Sequence, residues 1–159
     1  MTGLVRHIGR SCQGIRIQKA VNGMTQTRGI RHLALRVKNL RRSQVFYEGL
    51  FGMKVVWQPD GDNVYLSSGS DNLALHQIAA AEQHEYDPAR GQFLDHFGFL
   101  MDSQESVDRL FQSVERHAGR YGGAVVKVPK RHRDDSYSFY LADPDGNVIQ
   151  VLYQPTISE

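Results

Sequence analysis

The chain has a single cysteine, Cys12, so it can form neither an intrachain disulfide nor a thiolate metal cluster. That scarcity fits the reducing cytoplasm, which is the expected location. No apolar stretch approaches the roughly 18 residues needed to span a bilayer, so no membrane-embedded role is expected. Charge of neither sign dominates: 19 Lys and Arg stand against 17 Asp and Glu. Such a balance argues against a dedicated nucleic-acid surface. The arginine-bearing runs at 41–42 and 130–133 read as solvated surface. Also missing are a Gly-rich phosphate loop, a nucleophile elbow and paired carboxylates suited to glycoside chemistry. Residues 1–23 carry Arg6, Arg10, Arg16 and Lys19 without one acid, and lack the apolar core of a secretory signal. Residues 1–28 are therefore expected to be a basic, poorly ordered extension.

What is present is ordinary globular material. The 159 residues, 40% hydrophobic and 23% charged, suffice for one domain with a real core but not for two. Two similar halves divide them. Residues 30–37 read as a strand. Asn39 can cap a helix from about Leu40 to Phe51 with Gly52 as its stop, and Val45, Phe46 and Leu50 as its buried stripe. Strands at 55–57, 63–67 and 73–78 follow, separated by turns at 59–62 and 69–72. The second half repeats the order. A strand at 94–101 precedes a helix capped by Asp102 or Ser103, in which Val107, Leu110, Phe111 and Val114 recur at helical spacing. Gly119, Gly122 and Gly123 end that helix, and strands at 124–128, 137–142 and 147–153 close the chain. The expected fold is α+β. Two βαβββ modules, about 29–78 and 94–154, are joined by a linker over 79–93. Together they form a joint curved mixed sheet with a central cavity, within one domain over 29–154.

The halves also share a histidine. Ile30-Arg31-His32-Leu33-Ala34-Leu35 and Leu94-Asp95-His96-Phe97-Gly98-Phe99 each open with an apolar residue, a charged residue and an imidazole. Internal symmetry of this kind can bring two distant histidines to one metal ion. In Leu73-Ala74-Leu75-His76-Gln77, alternation puts Ala74 and His76 on one face and the leucines on the other. If the leucines pack on a helix, His76 faces the cavity. An ungapped overlay of the modules instead sets Leu75 against Gln150 and turns His76 away, so both orientations stay open. His7, His84 and His117 have no partner pattern and read as surface. Asp143-Pro144-Asp145-Gly146 is a turn whose carboxylates cap backbone donors, and Phe46-Tyr47 is core packing.

Several of these segments, in order, resemble the vicinal oxygen chelate superfamily. They are His32-Leu33-Ala34-Leu35-Arg36-Val37, Phe46-Tyr47 through Leu50-Phe51-Gly52-Met53, Asp95-His96-Phe97-Gly98-Phe99, and Ser138-Phe139-Tyr140 through Asp143-Pro144-Asp145-Gly146-Asn147. That superfamily holds glyoxalase I, fosfomycin-resistance transferases, bleomycin-resistance proteins and extradiol dioxygenases. The resemblance covers residues 29–154 and implies a divalent metal (iron, manganese, nickel or zinc) held by His32, His96 and the residue four positions after Gly146. That residue is Gln150, where the metalloenzymes carry glutamate. An amide oxygen adds a dipole where a carboxylate would neutralise a unit of charge, so weaker binding is implied. The run Arg131-His132-Arg133-Asp134-Asp135-Ser136-Tyr137-Ser138-Phe139-Tyr140 looks like an extradiol dioxygenase segment, although one residue shorter. It gives His132 and Tyr140 roles beside the metal, with solvated loop as the plainer reading of His132. His76 or His132 would move protons and Tyr140 would donate a hydrogen bond. The implied function is a metal-dependent isomerase, lyase or dioxygenase acting on a small molecule with adjacent oxygens. The alternative is metal-free sequestration of a small molecule, as in bleomycin resistance. A homodimer is implied as well.

Overall fold

A computed structural model describes residues 30–86 and 94–155 of the chain. The expectations for the N-terminal extension and for the middle of the linker lie outside those residues. The first module contains β1 (His32–Val37), α1 (Leu40–Phe51), β2 (Lys54–Trp57), β3 (Asn63–Ser67) and β4 (Asn72–Gln77), with a short 3-10 helix over Ala80–Glu85 after it. The second contains β5 (Phe97–Leu100), α2 (Gln104–Tyr121), β6 (Ala124–Arg131), β7 (Tyr137–Ala142) and β8 (Val148–Tyr153). Each module forms a four-stranded mixed sheet, ordered β1-β4-β3-β2 and β5-β8-β7-β6. In both, the first strand runs parallel to the last and the remaining pairs are antiparallel. The α+β pattern of paired βαβββ modules is thus present, with the hydrogen-bonded ladders confined to each module. No described helix is long and apolar enough to cross a membrane.

Local chemistry explains the element ends. The Asn39 side chain accepts the Arg42 backbone N–H at 2.9 Å, satisfying one of the orphan donors at the start of α1. Gly52 closes that helix at φ 64°, a left-handed value that glycine adopts without strain. Ser103, rather than Asp102, caps α2 by accepting the Ser106 N–H at 3.2 Å. Gly119 lies inside α2, and Gly122, at φ 83°, follows the helix. In α1 the buried stripe contains Phe46, Tyr47 and Leu50, while Val45 is only half-buried. Strand β6 runs three residues beyond its expected end, because its pairing with β7 continues through Lys130↔Ser138 and Arg131↔Tyr137.

One apolar cluster spans both modules. Leu35, Val64, Leu66, Leu73 and Leu75 meet Phe46, Tyr47 and Leu50 on one side. Val107, Val114, Phe139, Leu141, Ile149 and Val151 complete it on the other. The helices pack on each other as well as on their own sheets. Phe51 stacks on Phe99 at 4.3 Å between ring centroids. Gly123 makes the close approach possible, since a Cβ there would meet the Phe46 ring at 2.4 Å. Burying rings as large as Phe46 and Tyr47 contributes about 1.5–3 kcal/mol each. Polar bonds fix the register between modules. The Tyr47 hydroxyl donates to Asp143 at 2.7 Å, Ser43 donates to Asp145 at 2.8 Å, and the Lys38 N–H donates to Asp145 at 3.0 Å. The Asp143–Gly146 turn therefore does more than cap itself: it anchors the second module to the first.

Candidate functional site

With the helices covering one face of each sheet, strand alternation determines what the other face carries. In the second module, Phe139, Leu141, Ile149 and Val151 turn into the core, so Ser138, Tyr140, Gln150 and Leu152 turn outward. Tyr140 and Gln150 are direct partners across β7 and β8, and Gly98 sits opposite Gln150 on β5. His96 lies two residues before Gly98 and so shares that face. His96, Tyr140 and Gln150, together with His132, line an open pocket of about 540 Å³, a size suited to a small molecule. Four of the six residues singled out from the sequence, His96, His132, Tyr140 and Gln150, thus surround one hollow.

Hydrogen bonds orient the polar groups. The His96 Nδ1 is engaged by the Asp95 carboxylate, which leaves Nε2 for the pocket. Gln150 donates its amide N–H to Ser138 Oγ at 3.0 Å, so its carbonyl oxygen is the atom left to face a ligand. Ser138 is fully buried, and its hydroxyl also bonds His132 Nε2 at 2.7 Å. One serine thereby ties the His132 ring to the Gln150 amide. The Tyr140 ring stands edge-on to both His96 and His132, at 5.3 and 6.4 Å between centroids. An imidazole with one nitrogen anchored on a side-chain oxygen and the other free is arranged as metal-ligating histidines are. His96 and Gln150 fit a divalent ion in this sense. Among the described residues, no three His, Cys, Asp or Glu side chains group closely enough to hold an ion by themselves.

The first module presents a corresponding open face. His32 is exposed, its Nδ1 is 2.5 Å from Asn72 Oδ1, and its ring lies 6.4 Å from that of Tyr65. His76 is on the same face, with Nδ1 at 2.5 Å from Asn63 Oδ1, while Leu73 and Leu75 are buried. The ladders define equivalence between modules. Ala34 pairs with Ala74 two residues after His32, as Gly98 pairs with Gln150 two residues after His96. Ala74, not Leu75, is therefore the counterpart of Gln150, and the one-residue offset comes from the turns before β4. Module one offers a single imidazole at the equivalent position. His76 pairs with Arg36, four residues along β1 from His32, which is about 13 Å at the usual strand rise. Neither His32 nor His76 lines the pocket that holds His96. Within one chain His32 and His96 belong to different sheets.

Some lining residues had no signal in the sequence beyond charge. Lys130, Arg131 and Arg133 read as solvated surface, yet they border the pocket because β6 extends to Arg131. Ser138 appeared only as part of a motif. Its bridging role needed the β7–β8 register to be seen. His84 and His117 are exposed, as expected.

The sequence profile described as the Glyoxalase/Bleomycin resistance protein/Dioxygenase superfamily matches residues 29–151. The chain is 28% identical over 129 residues to a probable trivalent organoarsenical cleaving enzyme of Bacillus subtilis, covering 80% of this chain and 82% of that protein. It is 30% identical over 123 residues to the metallothiol transferase FosB of Bacillus licheniformis, covering 77% and 73%. Its fold is like that of a lactoylglutathione lyase from Agrobacterium tumefaciens, with a TM-score of 0.62, 24% identity and coverage of 81% and 96%.

Proposed function

The chain belongs to the glyoxalase/bleomycin resistance protein/dioxygenase superfamily, and we propose that it is a metal-dependent enzyme acting on a small molecule with adjacent oxygens. Its relatives include proteins named as metallothiol transferase and lactoylglutathione lyase. The supporting observation is the pairing of His96 and Gln150 on one open face, each with its other polar atom already engaged. A divalent ion held by His32, His96 and Gln150 would act as a Lewis acid on two substrate oxygens. Tyr140 donates a hydrogen bond to the substrate. His132, fixed through Nε2 by Ser138, presents Nδ1 for proton transfer. His76 stands too far along its strand from His32 to complete the same ligand set. The lone cysteine fits a cytoplasmic setting.

In this proposal the site is completed by a second copy, His32 of one chain meeting His96 and Gln150 of the other. Two features support that arrangement. The outer edges of β1 and β5 have no strand partner among the described residues. Both open faces carry the ligand-type residues. A joint eight-stranded sheet would then form between copies.

Gln150 in place of a carboxylate is the observation that favours a second reading, metal-free binding of a small molecule. The variant Gln150→Glu separates the two. Under the enzyme proposal, the added charge tightens binding of manganese or zinc by about tenfold to a hundredfold, measured by competition with a chromogenic chelator. If neither wild type nor variant takes up iron, manganese, nickel or zinc stoichiometrically, the metal proposal fails and the binder reading replaces it.

A further inference from the structure

The pocket has a basic rim. Lys130, Arg131 and Arg133 all line it, and Lys127 stands 4.7 Å above the ring of Tyr140. All four lie on the β6–β7 hairpin, where the Lys130↔Ser138 and Arg131↔Tyr137 pairs hold the strand rigid. Arg131 is partly occupied, 3.7 Å from Asp135 and donating to the Gln104 side-chain oxygen Oε1 at 3.3 Å. Among the described residues no carboxylate pairs with Lys127, Lys130 or Arg133. The one acid in the lining is Asp134, and its Oδ1 already accepts from the Ser136 hydroxyl at 2.7 Å and the Ser136 N–H at 3.2 Å. These bonds, the hydroxyl's foremost, hold its carboxyl below the usual range.

Like charges gathered around a concavity repel one another, and among the described residues Asp134 and Asp135 offset only part of the four positive charges. The proposed ligand set adds to the imbalance. Two imidazoles and an amide are neutral, so a bound divalent ion keeps its full charge. Ion and rim together would leave an excess of positive charge in the hollow, which favours an anionic ligand. A solvated charge run would gain nothing from encircling a pocket, whereas an oxyanion gains from both the rim and the ion.

We propose that the substrate is a small oxyanion, a carboxylate, phosphate or phosphonate, whose charged end is held by Lys130 and Arg133 beside the chelating oxygens. The proposal rests on the metal-enzyme reading for the position of the ion, but the rim is present without it. Two probes test it by titration calorimetry on the full chain: oxalate, a dianion with adjacent oxygens, and its neutral isostere oxamide. On metal-loaded protein, oxalate is expected to bind at least about tenfold more tightly than oxamide. The double variant Lys130→Gln, Arg133→Gln is expected to weaken oxalate by about tenfold with metal content unchanged. Equal binding of the two probes overturns the proposal, as does a variant within about twofold of wild type. If no metal is retained, the enzyme reading fails separately, and inorganic phosphate on the metal-free protein takes over as probe. Salt-sensitive phosphate binding that disappears in the double variant then upholds the oxyanion site. No binding, or binding unaffected by the two substitutions, overturns it.

Discussion

Replacing His96 with alanine is expected to abolish binding of the divalent ion proposed for this site. The proposed set has only neutral ligands, so no carboxylate compensates when one imidazole is lost. Removing a partner that merely orients a ligand already lowers metal affinity by about ten- to a hundredfold. Losing the ligand itself should exceed that range and abolish turnover. The contrast lies in the neighbours. His132 is tied to Ser138 through Nε2 and stands edge-on to Tyr140, so His132→Ala should keep the metal while slowing the reaction. His76 lies far along its strand from His32, and His76→Ala should also keep the metal. Elemental analysis of the three purified variants reads this directly. Stoichiometric metal in His96→Ala would remove His96 from the ligand set.

The second large effect is on stability. Asp143 is buried and accepts four hydrogen bonds, from the Tyr47 hydroxyl, the Asn147 side chain and the backbone N–H groups of Asp145 and Asn147. Asp143→Ala would leave the Tyr47 hydroxyl buried with no acceptor and would loosen the turn that docks module two on α1. An unsatisfied buried donor costs about 1–3 kcal/mol, and the turn bonds add to it, so a loss of roughly 3–5 kcal/mol is expected in urea unfolding. A loss below about 1 kcal/mol would show that the network does not hold the modules together. Acidity provides a further check. Burial raises the Asp143 carboxyl above its usual range despite the bonds it accepts, and the Tyr47 hydroxyl is pushed well up by the same burial. A raised carboxyl binds its proton more tightly folded than unfolded. Its contribution to stability therefore falls as pH rises through the raised value and recovers on acidification. Asp143→Asn should flatten that part of the pH profile.

Much of this architecture could be read from residue patterns. Asn39 and Gly52 bounded α1 correctly, because a cap side chain and a left-handed stop are local requirements. Val107, Leu110, Phe111 and Val114 marked α2 for the same reason. Alternation placed Ser138 and Tyr140 on one face and separated His76 from the leucines beside it. What depended on distant pairing was not legible. Tyr47 looked like core packing, and its hydroxyl partner Asp143 is 96 residues away. The register that makes Ala74 the counterpart of Gln150 turns on a one-residue difference in turn length. The basic hairpin looked solvated because charge alone does not say where β6 ends. The separation of His32 from His96 is of the same kind, since their symmetry in sequence carries no information about how the two sheets are placed.

That last point is open to one direct measurement. His32→Ala and His96→Ala chains, each inactive alone, can be co-expressed with distinguishable tags and assayed as a mixture. If the site is shared between copies, a mixed dimer holds one intact site, with its two defects gathered in the other, so about a quarter of wild-type metal sites and activity should return. If both imidazoles must come from one chain, the mixture will stay as dead as its parents.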